Sequence, residues 1–360
     1  MAKVTLQSIA DRLGVSRMTV SNAFSRPDQL SATLRERILA EAEAIGYLGP
    51  DPAARSLARG TTGTIGVLWA DRLRYTLLDE VTAGFLGAVA DELSAEGFAL
   101  TLLPAVVEGD VVPARDVAMD GAIAYSCPPD LPALELLERR GLPIVCVDMP
   151  PRRGRAVITI DDRGGARSAA EHLVALGHRR VAIVTGGLGR VPGVLPLSLE
   201  DAVAVRRPHV VDQRLRGWHD ALAAAGIAPT LVSQPNTYED ARPVVREVLS
   251  GPDRPTGLLC VSDVVARDAL AAAADLGIPV PEQLSVIGFD DNPLASRVQP
   301  ALTTVAQDVD AKGRAAAVAL RQAVAVARDP ALPRPRSRRL DVRLVVRRST
   351  GPAPGSVAAS

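Results

Sequence analysis

Apolar residues recur with helical spacing through the first part of the chain. Leu6, Ile9, Ala10 and Leu13 fall at i, i+3, i+4 and i+7, which is one face of a helix. Thr5 before them suits an N-cap, and Gly14 after them can take the positive φ that ends a helix. A second helix is expected with Ser16 as its cap and Thr19, Val20, Ala23 and Phe24 along it, and a third entered at Ser31 with Leu34, Ile38, Ala42 and Ile45 on one face. Two short helices joined by a glycine-containing turn form a helix-turn-helix, and the third closes a small core around them. The stretch 52–60 predicts one more short helix, begun by Pro52 and stopped by Gly60. Alone in water it is marginal, so it reads as a linker that orders on binding.

From residue 64 the pattern changes. Short apolar runs at 65–69, 99–103, 121–125, 144–147, 181–184, 258–261 and 286–289 alternate with amphipathic stretches such as 81–97, 166–176 and 263–276. Such alternation predicts parallel sheets covered by helices, and two such units fill the remaining length. The expected organisation is a helical headpiece at 1–47, a linker with a hinge helix at 48–62, a two-lobed α/β domain at 63–345 and a disordered tail at 346–360. The basic run at 334–339, interrupted by Pro335, is expected to be a solvated linker.

Composition changes this picture little, but charge sharpens it. The 360 residues hold 41 Lys plus Arg and 41 Asp plus Glu, for a formal net charge of zero. That zero is a sum of unlike parts. Residues 1–60 carry eight basic and six acidic groups, and 328–360 carry eight Arg and two Asp, so the middle of the chain is acidic. Any affinity for nucleic acid would then rest on a few contacts near the N-terminus, and its salt dependence would follow those residues and not the net charge. No apolar run approaches the roughly 18 residues of a membrane span. The start of the chain lacks the apolar stretch of a secretory signal, so a cytoplasmic location is expected. Cys127, Cys146 and Cys260 lie far apart and read as small buried hydrophobes with reduced thiols.

Catalytic chemistry finds no support. Asp161-Asp162 and Asp290-Asp291 are adjacent carboxylates whose side chains point apart, without a partner histidine or cysteine pattern. The stretch 185–189 is glycine-rich but lacks dinucleotide spacing and a phosphate-binding lysine. His172, His178, His209 and His219 have no metal-ligand spacing, so neither a metal nor a cofactor is expected.

Residues 4–22, with Val15-Ser16 followed by Thr19-Val20-Ser21, closely resemble the DNA-binding headpiece of the lactose-repressor (LacI) family of bacterial transcription regulators. The resemblance implies that the second helix lies in the major groove, with Arg17, Met18 and Asn22 reading bases. The chemistry agrees: Arg pairs with guanine O6 and N7, Asn with adenine N6 and N7, and Met touches a thymine methyl. The family often has Arg at the place of Asn22, so this operator should depart from the usual one. Thr5, Ser16, Thr19 and Ser21 are candidate phosphate contacts. In the family, paired hinge helices enter the minor groove and a leucine wedges open the central step. Leu57 matches that leucine and Ala54 is a further candidate contact, although the chain has one extra residue between Tyr47 and Pro50 and Asp51 where the family has Asn.

The body resembles the same family's effector domain, two lobes like those of periplasmic sugar-binding proteins. The matching strings are Asp161-Asp162-Arg163-Gly164-Gly165-Ala166, Arg214-Leu215-Arg216-Gly217-Trp218 and Ser285-Val286-Ile287-Gly288-Phe289-Asp290-Asp291. Ligands of open α/β lobes bind outside the carboxyl ends of strands. Tyr75, Tyr125, Asp148, Ser262 and Asp290 sit there, and the resemblance adds Arg214. Arg and Asp suit hydroxyl-rich ligands through charge-assisted bonds, and Tyr75 or Tyr125 could stack on a sugar ring. The segment 191–211 departs most from the family and adjoins this region. The resemblance therefore implies a homodimer that binds a pseudo-palindromic operator, most simply as a repressor, under control of a carbohydrate in the interlobe cleft. An activator of the same family, or a sugar-binding module without a regulatory role, are the alternatives.

Overall fold

The structure is a computed structural model that describes residues 4–49, 51, 56–57, 60–70, 79–105, 112–186, 188, 191–204, 207–234 and 240–355. It divides into two compact units, Met1–Gly63 and Thr64–Ser360. In the first, α1 (Leu6–Leu13), α2 (Arg17–Ser25) and α3 (Ala32–Ala44) follow their predicted caps. Thr5 and Ser8 form a reciprocal capping box, Gly14 closes α1 at φ 66°, Ser16 caps α2 and Ser31 caps α3. Ile9, Ala10, Val20, Ala23, Ile38 and Ala42 are the core that the three faces share.

The second unit begins with β1 (Thr64–Trp69), α4 (Glu80–Ser94), β2 (Ala99–Pro104), α5 (Pro113–Asp116), β3 (Gly121–Tyr125), α6 (Pro132–Arg139), β4 (Ile144–Val147) and β5 (Ala156–Ile160). The chain then enters a second lobe through α7 (Asp162–Ala175), β6 (Val181–Gly186), β7 (Gly193–Leu195), α8 (Leu199–Ala204), α9 (His209–Ala224) and β8 (Thr230–Gln234). That lobe continues with α10 (Arg242–Ser250), β9 (Gly257–Cys260), α11 (Asp263–Asp275), β10 (Ser285–Asp290), α12 (Pro293–Arg297) and β11 (Thr303–Ala306). The chain returns to the first lobe as α13 (Val309–Arg328) and β12 (Arg338–Leu340), and crosses once more to β13 (Arg343–Val345). The sheet orders are β12-β5-β4-β3-β1-β2 and β13-β11-β10-β9-β6-β8-β7. All described pairs are parallel except β11 with β13 and β7 with β8.

Both faces of each sheet are covered, as parallel sheets require. Along β1, Ile65, Val67 and Trp69 join the core under α4 and α13, whereas Leu68 points to the core under α5 and α6. Gly313 lets α13 press on α4: a Cβ there would lie 2.6 Å from the Ala88 Cβ and 2.9 Å from the Phe85 carbonyl oxygen. The three cysteines are buried and free, and burial pushes the Cys146 thiol up to about 11.

Two expectations are corrected near the C-terminus. The basic run is not a solvated linker throughout, because Arg338–Leu340 pairs with β5 as an edge strand and the Ser337 hydroxyl accepts the Val157 N–H at 3.0 Å. Its arginines stay exposed at that edge, which is why composition alone reads as linker. The tail is not disordered from 346 either. Ser349 is fully buried, donating to the Val286 carbonyl at 2.6 Å and accepting the Thr303 N–H at 2.8 Å. The Gly351 N–H reaches the Ser285 hydroxyl at 3.1 Å, and the Ala353 N–H reaches the Leu176 carbonyl at 2.8 Å. Small polar residues suit a strap whose every backbone group must be satisfied inside.

Candidate functional site

The headpiece turns one side of α2 outward. Val20 and Ala23 are buried, and Met18, on another side, is 70% exposed. A large apolar side chain left in water on a helix that also carries Arg17, Ser21 and Asn22 suits contact with a surface offering both methyl and polar groups. The hydroxyls among the predicted contacts first serve the helices. Ser16 Oγ accepts the Thr19 N–H at 3.0 Å and lies 2.8 Å from Thr19 Oγ1, and Thr5 Oγ1 accepts the Ser8 N–H at 3.3 Å. Leu57 is 86% exposed. Ala54 and Tyr75 lie outside the described residues.

In the second unit the sheets reverse their winding at β1 and at β6, and crevices form at the carboxyl ends of strands on either side of such switch points. Strain marks the same ends. Among the described residues, the non-glycine positions with positive φ are Ser126, Asp148, Asp290 and Asp291, at 48°, 53°, 114° and 53°. All four lie at or just past β3, β4 or β10. L-residues held there cost on the order of 1–3 kcal/mol each, so neighbouring contacts must hold them.

Two of the four, Asp148 and Asp290, lie in a largely buried chain of contacts that runs from lobe to lobe. Arg214, on α9, donates from Nε to Asp162 at 2.8 Å and from a terminal nitrogen to Asp290 at 3.2 Å, and also reaches the Val261 carbonyl. Its guanidinium lies 3.5 Å over the Phe289 ring. Asp290 accepts Gln307 Nε2 at 2.7 Å, Gln307 Oε1 accepts Lys312 Nζ at 2.9 Å, and Lys312 donates to Asp148 at 2.7 Å. Asp162, Arg214 and Asp290 belong to the second lobe, Lys312 and Asp148 to the first, and Gln307 to the crossover between them. Burial pushes the carboxyls of Asp162 and Asp290 up to about 6 against the opposing pull of Arg214. Asp263 is driven well above its usual range by burial and by Asp290 nearby.

Each predicted effector residue can now be placed. Arg214, Asp290 and Asp148 are brought together by this chain. Arg214 and Asp290 stand on the same lobe and pair with each other. Tyr125 is buried, stacked on Trp69 with centroids 4.2 Å apart, and its ring lies 5.6 Å from the Lys312 ammonium. Ser262 caps α11 by accepting the Val265 N–H, beside the Val261 carbonyl that Arg214 uses. One oxygen of Asp148, Oδ1, is buried without a hydrogen-bond partner among the described residues, so the chain keeps an acceptor in reserve. Cavities of about 740 and 870 Å³ flank the crossovers, one reached by Met149, Asp162, His209 and Gln213, the other by Gly84, Asp290, Asn292 and Gln307.

Sequence reasoning missed Lys312 and Gln307. A signal for the lysine existed: it is one of two lysines in the chain and lies in register with Ala316, Leu320 and Val324 on the buried stripe of α13. Chemically, the chain offers adjacent donors and acceptors from Arg214, Asp290, Gln307, Lys312 and Asp148, which fits binding of a hydroxylated ligand.

Comparison with known proteins agrees with this geometry. Residues 5–49 match the bacterial regulatory proteins of the lacI family, and residues 170–350 match the periplasmic binding protein-like domain. An HTH-type transcriptional regulator of Mycolicibacterium smegmatis is 37% identical over 327 residues, 87% of this chain and 89% of its own. The chain belongs to the LacI family. Like its relatives, this LacI-family protein is a DNA-binding transcriptional regulator whose second unit has the family's two-lobed fold. The structure of a complex of the transcriptional regulator CelR with cellobiose matches 96% of it and all of that chain, at a TM-score of 0.66 and 26% identity. The Lac repressor dimer bound to operator and an anti-inducer matches 97% of it and 99% of that chain, at a TM-score of 0.75 and 25% identity.

Proposed function

We propose that this chain is a dimeric, cytoplasmic repressor whose hold on a pseudo-palindromic operator is altered by a carbohydrate bound between its lobes. What carries the ligand part of this reading is the chain Asp162–Arg214–Asp290–Gln307–Lys312–Asp148, because a ligand that inserts hydroxyls into it engages both lobes at once. The cellobiose complex of CelR supports a sugar as the ligand, and the operator-bound Lac repressor dimer supports the assembly. Arg17, Met18 and Asn22 read bases; Thr5, Ser16, Thr19 and Ser21 touch phosphates; Leu57 wedges the minor groove, and Ala54 is a further contact there. Asp148, Arg214, Asp290, Tyr125, Ser262 and Tyr75 surround the sugar. Coupling requires that the sugar prefer one arrangement of the lobes, and its strength equals that preference.

A thermal-shift screen against cellobiose, other neutral sugars and sugar phosphates finds the ligand, since a ligand of the native state raises the melting temperature. Hits are then carried into operator-binding assays. Asp290→Ala should bind operator as tightly as wild type and lose release by the sugar. Full release retained in that variant would remove Asp290 from the site.

A further inference from the structure

The amide of Asn22 has a side-chain partner at the end of α2. Its Nδ2 donates to Oε1 of Gln29 at 3.1 Å. Gln29 reaches it from beyond the helix, at the end of a single 3-10 turn, Pro27–Gln29. The backbone of that turn is itself tied down. The Arg26 N–H closes α2 onto the Asn22 carbonyl at 2.8 Å, and the Gln29 N–H returns to the Arg26 carbonyl at 3.1 Å. Leu30 packs against the headpiece core and Ser31 caps α3. The side chain of Gln29 therefore starts from a fixed point and ends on the amide of a candidate base reader.

An asparagine amide has an oxygen edge and a nitrogen edge of nearly the same shape, and they say opposite things to a base. With one Nδ2 hydrogen held by Gln29, the second hydrogen and Oδ1 remain. One donor beside one acceptor matches adenine, whose major-groove edge offers the N7 acceptor and the N6 donor. An amide turned over would lead with its nitrogen, which suits the two acceptors of guanine, N7 and O6. Which edge faces the base thus depends on whether the partner of the amide accepts, as Gln29 Oε1 does here, or donates.

We propose that Gln29 is a specificity-determining residue of operator recognition, a positioning residue that holds Asn22 in the orientation selecting adenine. The proposal rests on the reading of α2 as the base-reading helix.

The test selects bound duplexes from a random-sequence library with the full-length protein, then measures binding to the selected site, its single-base variants and a non-specific duplex. Asn22→Ala identifies the base pair read by Asn22, as the one whose preference disappears. Gln29→Ala should reduce the preference for adenine there about tenfold, leaving the other base preferences and the non-specific affinity within about twofold, because phosphate contacts carry those. Gln29→Glu keeps the acceptor and should keep the adenine preference. Gln29→Lys offers only donors, draws Oδ1 inward and should move the preference toward guanine. An Asn22-dependent preference that is the same in Gln29→Ala and Gln29→Lys as in wild type overturns the proposal while operator reading by α2 stands. Equal loss at every base pair would give Gln29 a role in headpiece stability alone and overturns it as well. If wild type enriches no sequence, or Asn22→Ala changes no preference, the reading of α2 fails and the proposal with it.

Discussion

Taking the ammonium of Lys312 out of water costs several kcal/mol, and the cost is offset only where the partners are close and complete. Here they are: a carboxylate at 2.7 Å and an amide oxygen at 2.9 Å, with the residue 1% exposed. Removing one partner of such a pair is worse than removing both, because it strands a buried charge. Lys312→Met should therefore destabilise the second unit by about 3–5 kcal/mol, and Lys312→Met with Asp148→Asn should recover most of that loss in urea unfolding. Equal losses in the single and double variants would mean that the pair is not coupled. At this scale the sequence was legible where position has a rule. Arg214, Asp148 and Asp290 follow from strand ends and from family strings. Lys312 and Gln307 did not, because a lysine among alanines and a glutamine after a short strand carry no local pattern that says they meet 2.9 Å apart.

Elements were legible in proportion to their burial. The strongly apolar strands β1, β3, β4, β6, β9 and β10 stand close to their predicted places, and so do the capped headpiece helices. β5, β8 and β11 mix threonine, serine or glutamine into short runs, and β7, β12 and β13 are edge pieces of three residues held mainly by backbone pairing. The departing segment 191–211 shows its architecture only in the structure. Its described residues add β7 to the edge of the second sheet and α8 beside α9, where Arg216 bonds the Val203 carbonyl at 3.0 Å. Helix contact also explains one motif residue. At Gly217 a Cβ would overlap the Arg163 carbonyl oxygen and sit 2.9 Å from both the Ala166 Cβ and the Arg167 nitrogen, so α7 and α9 pack backbone to backbone. Gly217→Ala should cost about 1–3 kcal/mol in unfolding of the second unit while leaving the headpiece transition unchanged. A neutral substitution would show that the two helices separate at little cost.

For the whole molecule, the formal charge of zero is the least informative number in the sequence, since it averages a slightly basic headpiece, an acidic body and a basic C-terminal segment. The structure adds that the last of these is partly a strand and strap of the effector unit, with Arg347 paired to Asp291 at 2.6 Å and Ser349 buried. In the proposed dimer, nucleic-acid affinity rests on residues 1–60 of each copy, and a two-fold assembly demands two-fold half-sites. Family membership and the relatives' shared role make the chain a transcriptional regulator. The central claim is that it regulates by reading a particular sequence with two headpieces. Footprinting of the full-length protein on DNA upstream of its own and neighbouring genes tests it most directly. The account predicts one protected pseudo-palindrome with two equivalent half-sites, lost when either half is scrambled. Protection spread evenly along the DNA, or a single half-site bound as tightly as the pair, would contradict it.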